Sequence, residues 1–169
     1  MLSPQLLSIP NVTAFLSTIA FSEGTDTPDG YRTIFGGTRA HPILFDSFAD
    51  HPRRIQHVNG LASDAAGRYQ LMSYTFDYLR MLLGIPDFSP RSQDLCACQL
   101  ISQAGALNDV CNGHFDIAVQ KLCTVWASFP DTQKGGASHY GGQPSHAIGE
   151  LRAAYIKCGG KIDQNLQNL

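Results

Sequence analysis

Glu23 is the residue whose type and position most directly suggest bond-breaking chemistry. It closes the run "NVTAFLSTIAFSE", which holds no other charged residue, and "GTDTPDG", a cluster of turn formers, follows it. Val12, Phe15, Leu16, Ile19 and Ala20 recur at the spacing of one buried helical face. At about 100° per residue, Glu23 falls within a few tens of degrees of the middle of that stripe. Its carboxyl is therefore expected to emerge at the rim of a core. There, apolar walls disfavour the charged form and the helix C-terminal carbonyls repel it, and both effects raise its pKa. A carboxylic acid that keeps its proton beside an apolar wall is equipped to be a general acid for glycosidic cleavage. The same residues also allow a plainer arrangement, in which the side chain turns to solvent or bonds backbone amides of the following turn.

The elements that must position this acid can be read from the periodicity. Residues 1–10 read as an N-terminal extension ending in Pro10, with the first helix from about Asn11 to a left-handed Gly24. Between Asp26 and Phe48 the helical period disappears; "YRTIFGG" and "ILF", separated by "TRAHP", predict a short hairpin or small sheet. Helices return with "YQLMSYTFDYLRMLLG", closing at Gly84, and with "DFSPRSQDLCACQLISQAG", where Ser89 is the expected N-cap and Pro90 the first helical residue. Two more are expected in "FDIAVQKLCTVWASFP", ending at Pro130, and "SHAIGELRAAYIKCGG", capped by Ser145 and ending at Gly159. The Gly-rich stretch from Asp131 to Pro144 reads as a surface loop.

With 169 residues, 43% hydrophobic and 15% charged, the chain suits a single domain spanning residues 11–169. A net charge of −2 gives no electrostatic reason to expect nucleic acid or an anionic membrane as partner. No basic residue precedes Arg32 and no apolar run approaches membrane-spanning length, so synthesis in the cytosol without a Sec-type signal is expected. Five cysteines (Cys96, Cys98, Cys111, Cys123 and Cys158) lack a zinc-type spacing and fit packed, reduced thiols. Cys96 and Cys98 lie about 200° apart on a helix and do not share a ligand. The six histidines, His139 and His146 included, follow no familiar ligand pattern, so no metal is expected. Trp126, beside Leu122 and Val125, reads as core, and Asp50 with His51 as a loop-fixing pair.

Several segments occur together in a specific order: "SEGTD" (Ser22 to Asp26), "DHPR" (Asp50 to Arg53), "AGRYQL" (Ala66 to Leu71), "DFSP" with "SQD" (Asp87 to Asp94), "GAL" (Gly105 to Leu107) and "WAS-P" (Trp126 to Pro130). Over residues 11–160 the chain resembles the phage lambda endolysin family, lytic transglycosylases of the lysozyme-like superfamily. The resemblance implies an α+β, lysozyme-like fold, mainly helical, with a small sheet flanking a substrate cleft. It implies cleavage of the β-1,4 bond between N-acetylmuramic acid and N-acetylglucosamine in peptidoglycan, with the muramic acid's own 6-hydroxyl closing a 1,6-anhydro ring. Glu23 then serves as acid and afterwards as base, and no cofactor is called for. Tyr69 and Gln70, in "GRYQ", are expected to bind substrate, and Tyr31 and Tyr140 to line the groove. The resemblance further implies a role in host lysis, with a monomeric enzyme waiting in the host cytoplasm until a holin opens the way to the periplasm and the cell wall. The partner so implied is peptidoglycan, with neither nucleic acid nor a stable membrane association expected. The loop from Asp131 to Pro144, which holds Tyr140 and Gln143, is expected to be longer than in that family. Two other readings stand beside this one: a hydrolase with Asp26 or Asp29 as second carboxylate, and a non-catalytic glycan-binding relative.

Overall fold

The computed structural model describes residues 4–141 and 144–163. Residues 1–3 of the expected extension, Gln143 in the loop, and the last six residues of the expected domain lie outside them. The described residues divide into two compact units.

One unit runs from Glu23 to Ala97. Its regular pairing is not where the hairpin is expected. Segments 32–34 and 43–45 do meet, through Ile34 N–H to Ile43 O at 2.7 Å and Phe45 N–H to Arg32 O at 3.1 Å, but they form only an isolated antiparallel bridge between Thr33 and Leu44. The longer ladder lies further on, where β1 (Gln56–Val58) pairs antiparallel with β2 (Leu61–Ser63). Asn59 and Gly60 both take positive φ, 51° and 80°, which is the two-residue turn whose twist matches a hairpin. Helix α2 spans Ser73–Leu83 and stops at Gly84 as expected, but begins four residues later than Tyr69. Tyr69–Leu71 belong instead to a tight turn closed by Leu71 N–H to Ala66 O at 2.9 Å, with Gln70 at φ 48°. Helical periodicity continues through those residues, so tertiary pairing overrides it. Phe45, Phe76, Phe88 and Leu79 form the apolar interior, with neighbouring rings 4.8–5.8 Å apart.

Among the described residues, the other unit contains residues 4–22, 98–141 and 144–163. A 3₁₀ helix, Pro4–Ser8, occupies the expected extension and leads into α1 (Pro10–Ser22). Phe15 on α1 packs against Phe115 at 5.7 Å, Phe129 at 6.0 Å and Tyr155 at 6.2 Å between ring centroids. Val12, Ile19 and Ala20 are fully buried beside it, so the stripe read from the sequence is a core face. Helix α3 (Pro90–Gln103) starts at the expected proline, and its residues divide between the units after Ala97. A short helix α4 (Leu107–Asn112) stands where only "GAL" marked the sequence. Helix α5 covers Phe115–Leu122, ending eight residues before Pro130 because the chain turns so that Trp126 and Phe129 enter the core. Helix α6 covers Ile148–Lys157, three residues after Ser145; Ala147 N–H donates to the Glu150 carboxylate at 3.2 Å at its start. The Gly-rich loop holds a further pair of strands, β3 (Pro130–Asp131) and β4 (Ala137–Ser138).

Cys96, Cys98 and Cys123 are buried, Cys111 is partly covered and Cys158 is exposed; all five are free thiols. Among the described residues no helix is long and apolar enough to cross a membrane.

Candidate active site

Helix α1 stops at Ser22, whose hydroxyl donates back to the Ile19 carbonyl at 2.9 Å. Glu23 follows, half-buried, and Gly24 at φ 72° reverses the chain immediately after it. A left-handed residue at that position satisfies the end of a helix and makes the following segment fold back. Thr25, next in line, is 1% exposed. Its hydroxyl donates to the Arg68 carbonyl at 2.5 Å, and Arg68 Nη1 reaches the Thr25 carbonyl at 3.5 Å. The turn that carries the acid is thereby laced to the "GRYQ" segment, 43 residues away in sequence.

That segment is in turn held by α3. Gln93 is fully buried and uses its whole amide. Oε1 accepts from Arg68 N–H at 2.9 Å, while Nε2 donates to Tyr31 O at 3.0 Å and Phe88 O at 2.8 Å. The next residue, Asp94, accepts on one oxygen from both Tyr69 at 2.6 Å and Tyr31 at 2.8 Å. The two phenol rings meet edge to face, 6.4 Å apart, and the Arg68 guanidinium lies 5.1 Å over the Tyr31 ring. Burial raises the Asp94 carboxyl above its ordinary range, against the two hydroxyls that favour its ionised form. Burial, then the charge of Asp94, pushes Tyr31 up to about 12 and Tyr69 well above the usual phenol value. Both phenols therefore stay protonated and act as donors at neutral pH.

The expected substrate residues thus occupy distinct places. Tyr31 is half-buried and Tyr69 is 1% exposed, so Tyr69 is packed within its unit and its hydroxyl serves Asp94. Gln70 is half-buried, its amide nitrogen donating to Gly67 O at 2.9 Å and Thr33 O at 3.3 Å. Tyr140 belongs to the other unit. It is 45% exposed and its hydroxyl donates to Thr124 O at 2.7 Å. Asp26 accepts from Arg39 Nε at 2.6 Å, and Asp29 is exposed ahead of a 3₁₀ turn, Gly30–Arg32. Asp50 and His51 fix their loop as expected: His51 N–H bonds Asp50 at 2.8 Å, and His51 Nε2 lies 2.9 Å from Leu71 O. Burial lowers the His51 pKa, so the ring is neutral with its proton on Nε2, leaving Nδ1 to accept from Arg53 N–H at 3.1 Å.

Thr25, Gln93 and Asp94 stand in the segments "SEGTD" and "SQD" that carry the resemblance, but residue type and spacing give them no role of their own. A sign of Gln93 was present: Gln93, Cys96 and Ala97 follow the i, i+3, i+4 spacing of a buried face, and an amide on such a face must find partners.

A family model described as Endolysin matches residues 13–162, nearly the whole of the described chain. The chain belongs to the endolysin family. Among curated members it is 40% identical to the endolysin of Escherichia phage lambda over 156 residues, covering 88% of this chain and 91% of that one. It is 34% identical to the endolysin of Escherichia phage P2 over 168 residues, covering 93% and 98%. A solved structure of bacteriophage lambda lysozyme complexed with a chitohexasaccharide superimposes with a TM-score of 0.80 at 36% identity, covering 91% of this chain and 97% of that one. A second lambda lysozyme structure gives 0.78 at 37% identity. The fold of this family member is accordingly α+β and lysozyme-like.

Proposed function

We propose that this endolysin-family chain is a lytic transglycosylase that cuts the β-1,4 bond between N-acetylmuramic acid and N-acetylglucosamine in peptidoglycan. The observation that carries the reading is the placement of Glu23, half-buried where α1 ends and set on a turn tied to Arg68 through Thr25. A carboxyl so held keeps one geometry through two successive proton transfers. In the first, Glu23 gives its proton to the bridging oxygen as the bond to the muramic acid C1 breaks. In the second, the resulting carboxylate takes the proton of the muramic acid 6-hydroxyl as that oxygen attacks C1 and closes the 1,6-anhydro ring. The nucleophile is tethered in the substrate, so its effective concentration is high and neither a cofactor nor a second carboxylate is required. The ion pair that engages Asp26 supports a single-acid scheme.

In this reading Tyr31 and Gln70 are the sugar-contacting residues of their unit and Tyr140 that of the other, and Tyr69 acts through Asp94 and Tyr31 as a positioning residue. The chitohexasaccharide complexed with the lambda lysozyme supports a glycan chain as the ligand. Residues 11–169 act as one catalytic domain and as a monomer. The enzyme is made in a host cytoplasm, gains the periplasmic wall when a holin permeabilises the membrane, and lyses the cell.

Mass spectrometry of digested peptidoglycan tests the scheme. Muropeptides lighter by one water and lacking a reducing end are expected from the wild type and none from Glu23→Gln. Reducing ends throughout would identify a hydrolase, and the absence of clearing on a zymogram of Gram-negative walls would identify a glycan binder.

A further inference from the structure

The catalytic reading leaves unused a cluster in the other unit. Cys123 follows α5, Asp131 ends β3 and His139 follows β4, at intervals of eight residues that match no familiar ligand motif. The fold brings one ligand atom from each, a sulfur, a carboxylate oxygen and an imidazole nitrogen, to within 4.8 Å of one another.

The trio is oriented by its surroundings. Asp131 Oδ1 accepts from Gln120 Nε2 at 3.0 Å and Gln133 N–H at 3.1 Å, which turns Oδ2 toward His139 Nδ1 at 2.9 Å. Gln120 also touches the thiol: Cys123 Sγ donates to the Gln120 carbonyl at 3.0 Å, and Gln120 Nε2 lies 3.7 Å from the sulfur. Cys123 is 1% exposed and the Asp131 side chain 5%, whereas the His139 side chain is 35% exposed and leaves a path from solvent. A nucleophilic role does not suit the thiol, because burial pushes its pKa up and closes it to a substrate.

We propose that Cys123, Asp131 and His139 form a binding site for a divalent transition ion, Zn²⁺ foremost, that clamps the end of α5 to the β3–β4 hairpin. One sulfur, one nitrogen and one oxygen are the donor types that Zn²⁺ accepts in a tetrahedron, and a thiolate disfavours Mg²⁺ and Ca²⁺. Water supplies the fourth ligand. On binding, the ion displaces the thiol proton of Cys123 to solvent, while the proton between His139 and Asp131 passes through water to His139 Nε2, so the imidazole ligates as a neutral group and no oxidation state changes. Two anionic ligands balance the 2+ charge. Lys134, whose Nζ lies 3.9 Å from Asp131, donates to the His139 carbonyl at 3.1 Å, so its charge stays anchored on the backbone beside the site, with the side chain 53% exposed.

The full chain, stripped with a chelator, is titrated with ZnCl₂ by calorimetry and with Co²⁺ by absorbance. One ion per chain is expected, together with a thiolate-to-cobalt charge-transfer band and the strong visible bands of a tetrahedral site. His139→Gln and Asp131→Asn should each weaken zinc binding at least about tenfold. Cys123→Ser should abolish the charge-transfer band. Cys158→Ser, which removes the exposed thiol, should leave both unchanged. Because Cys123→Ser alters a core position, His139→Gln on a partly exposed side chain keeps the test decisive should that variant fail to fold. Absence of one-to-one binding, undiminished affinity in His139→Gln, or loss of the cobalt band in Cys158→Ser would each overturn the site.

Discussion

Tyr69 and Asp94 are joined by a 2.6 Å hydrogen bond, and the acceptor oxygen is the same one that Tyr31 reaches at 2.8 Å. A single carboxylate oxygen thus links a phenol sealed in the interior to one at the margin, while Gln93, the preceding residue, holds Tyr31 and Arg68 through their backbones. Precision at Tyr31 is set from within.

The shared acceptor makes the two tyrosines interdependent. Tyr31→Phe and Tyr69→Phe should be non-additive in urea unfolding, with a coupling of about 0.5–3 kcal/mol. A double mutant whose cost equals the sum of the single costs would show that the two bonds form independently.

Burial raises the Asp94 pKa in the folded chain, so between its unfolded value, about 4, and the raised value the folded state binds more protons than the unfolded one. The contribution of this group is therefore fully present below pH about 4 and is lost as pH rises through the folded pKa. Subtracting the stability of Asp94→Asn from that of the wild type across pH 3.5–7 should give a difference that declines with pH. A flat or rising difference would contradict the buried placement.

Glu23→Gln preserves shape and removes the transferable proton. Cleavage of purified peptidoglycan should fall by about 10²–10⁴-fold or more, with an unchanged melting temperature. Activity within about threefold of wild type on the same purified peptidoglycan, followed by loss of turbidity, would remove Glu23 from the chemistry.

Gly60 and Gly67 both take positive φ, 80° and 79°, but only one lies against a site element. A Cβ at Gly60 meets nothing within 4 Å, whereas at Gly67 it would sit 2.2 Å from Gln93 Oε1. Gly60→Ala should cost about 1–2 kcal/mol for the backbone alone. Gly67→Ala should add about 1–3 kcal/mol by displacing the amide that holds Arg68, and it should lower activity as well. Equal unfolding costs for the two variants would argue against the Gln93 linkage.

Much of the helical framework was legible because it is local. The stripe from Val12 to Ala20, the proline opening α3 and the glycines closing α1 and α2 act within a turn or two of themselves. Asn59 and Gly60 were equally local and mark the true hairpin, yet they lie between segments of only three residues, too short to show alternation. The late start of α2 and the early end of α5 were not legible, since in both the chain leaves a helical pattern to make a distant contact.

The sequence by itself determined the position of the acid at the end of an apolar helix and, through its ordered segments, the family; helical phase and residue type suffice for that. Tertiary structure alone decided that Thr25 locks the turn to Arg68, that Asp94 joins two tyrosines, and that Cys123, Asp131 and His139 converge. Those relations connect positions eight to 63 residues apart, and only burial within each unit's own interior brings their polar atoms close enough to need one another.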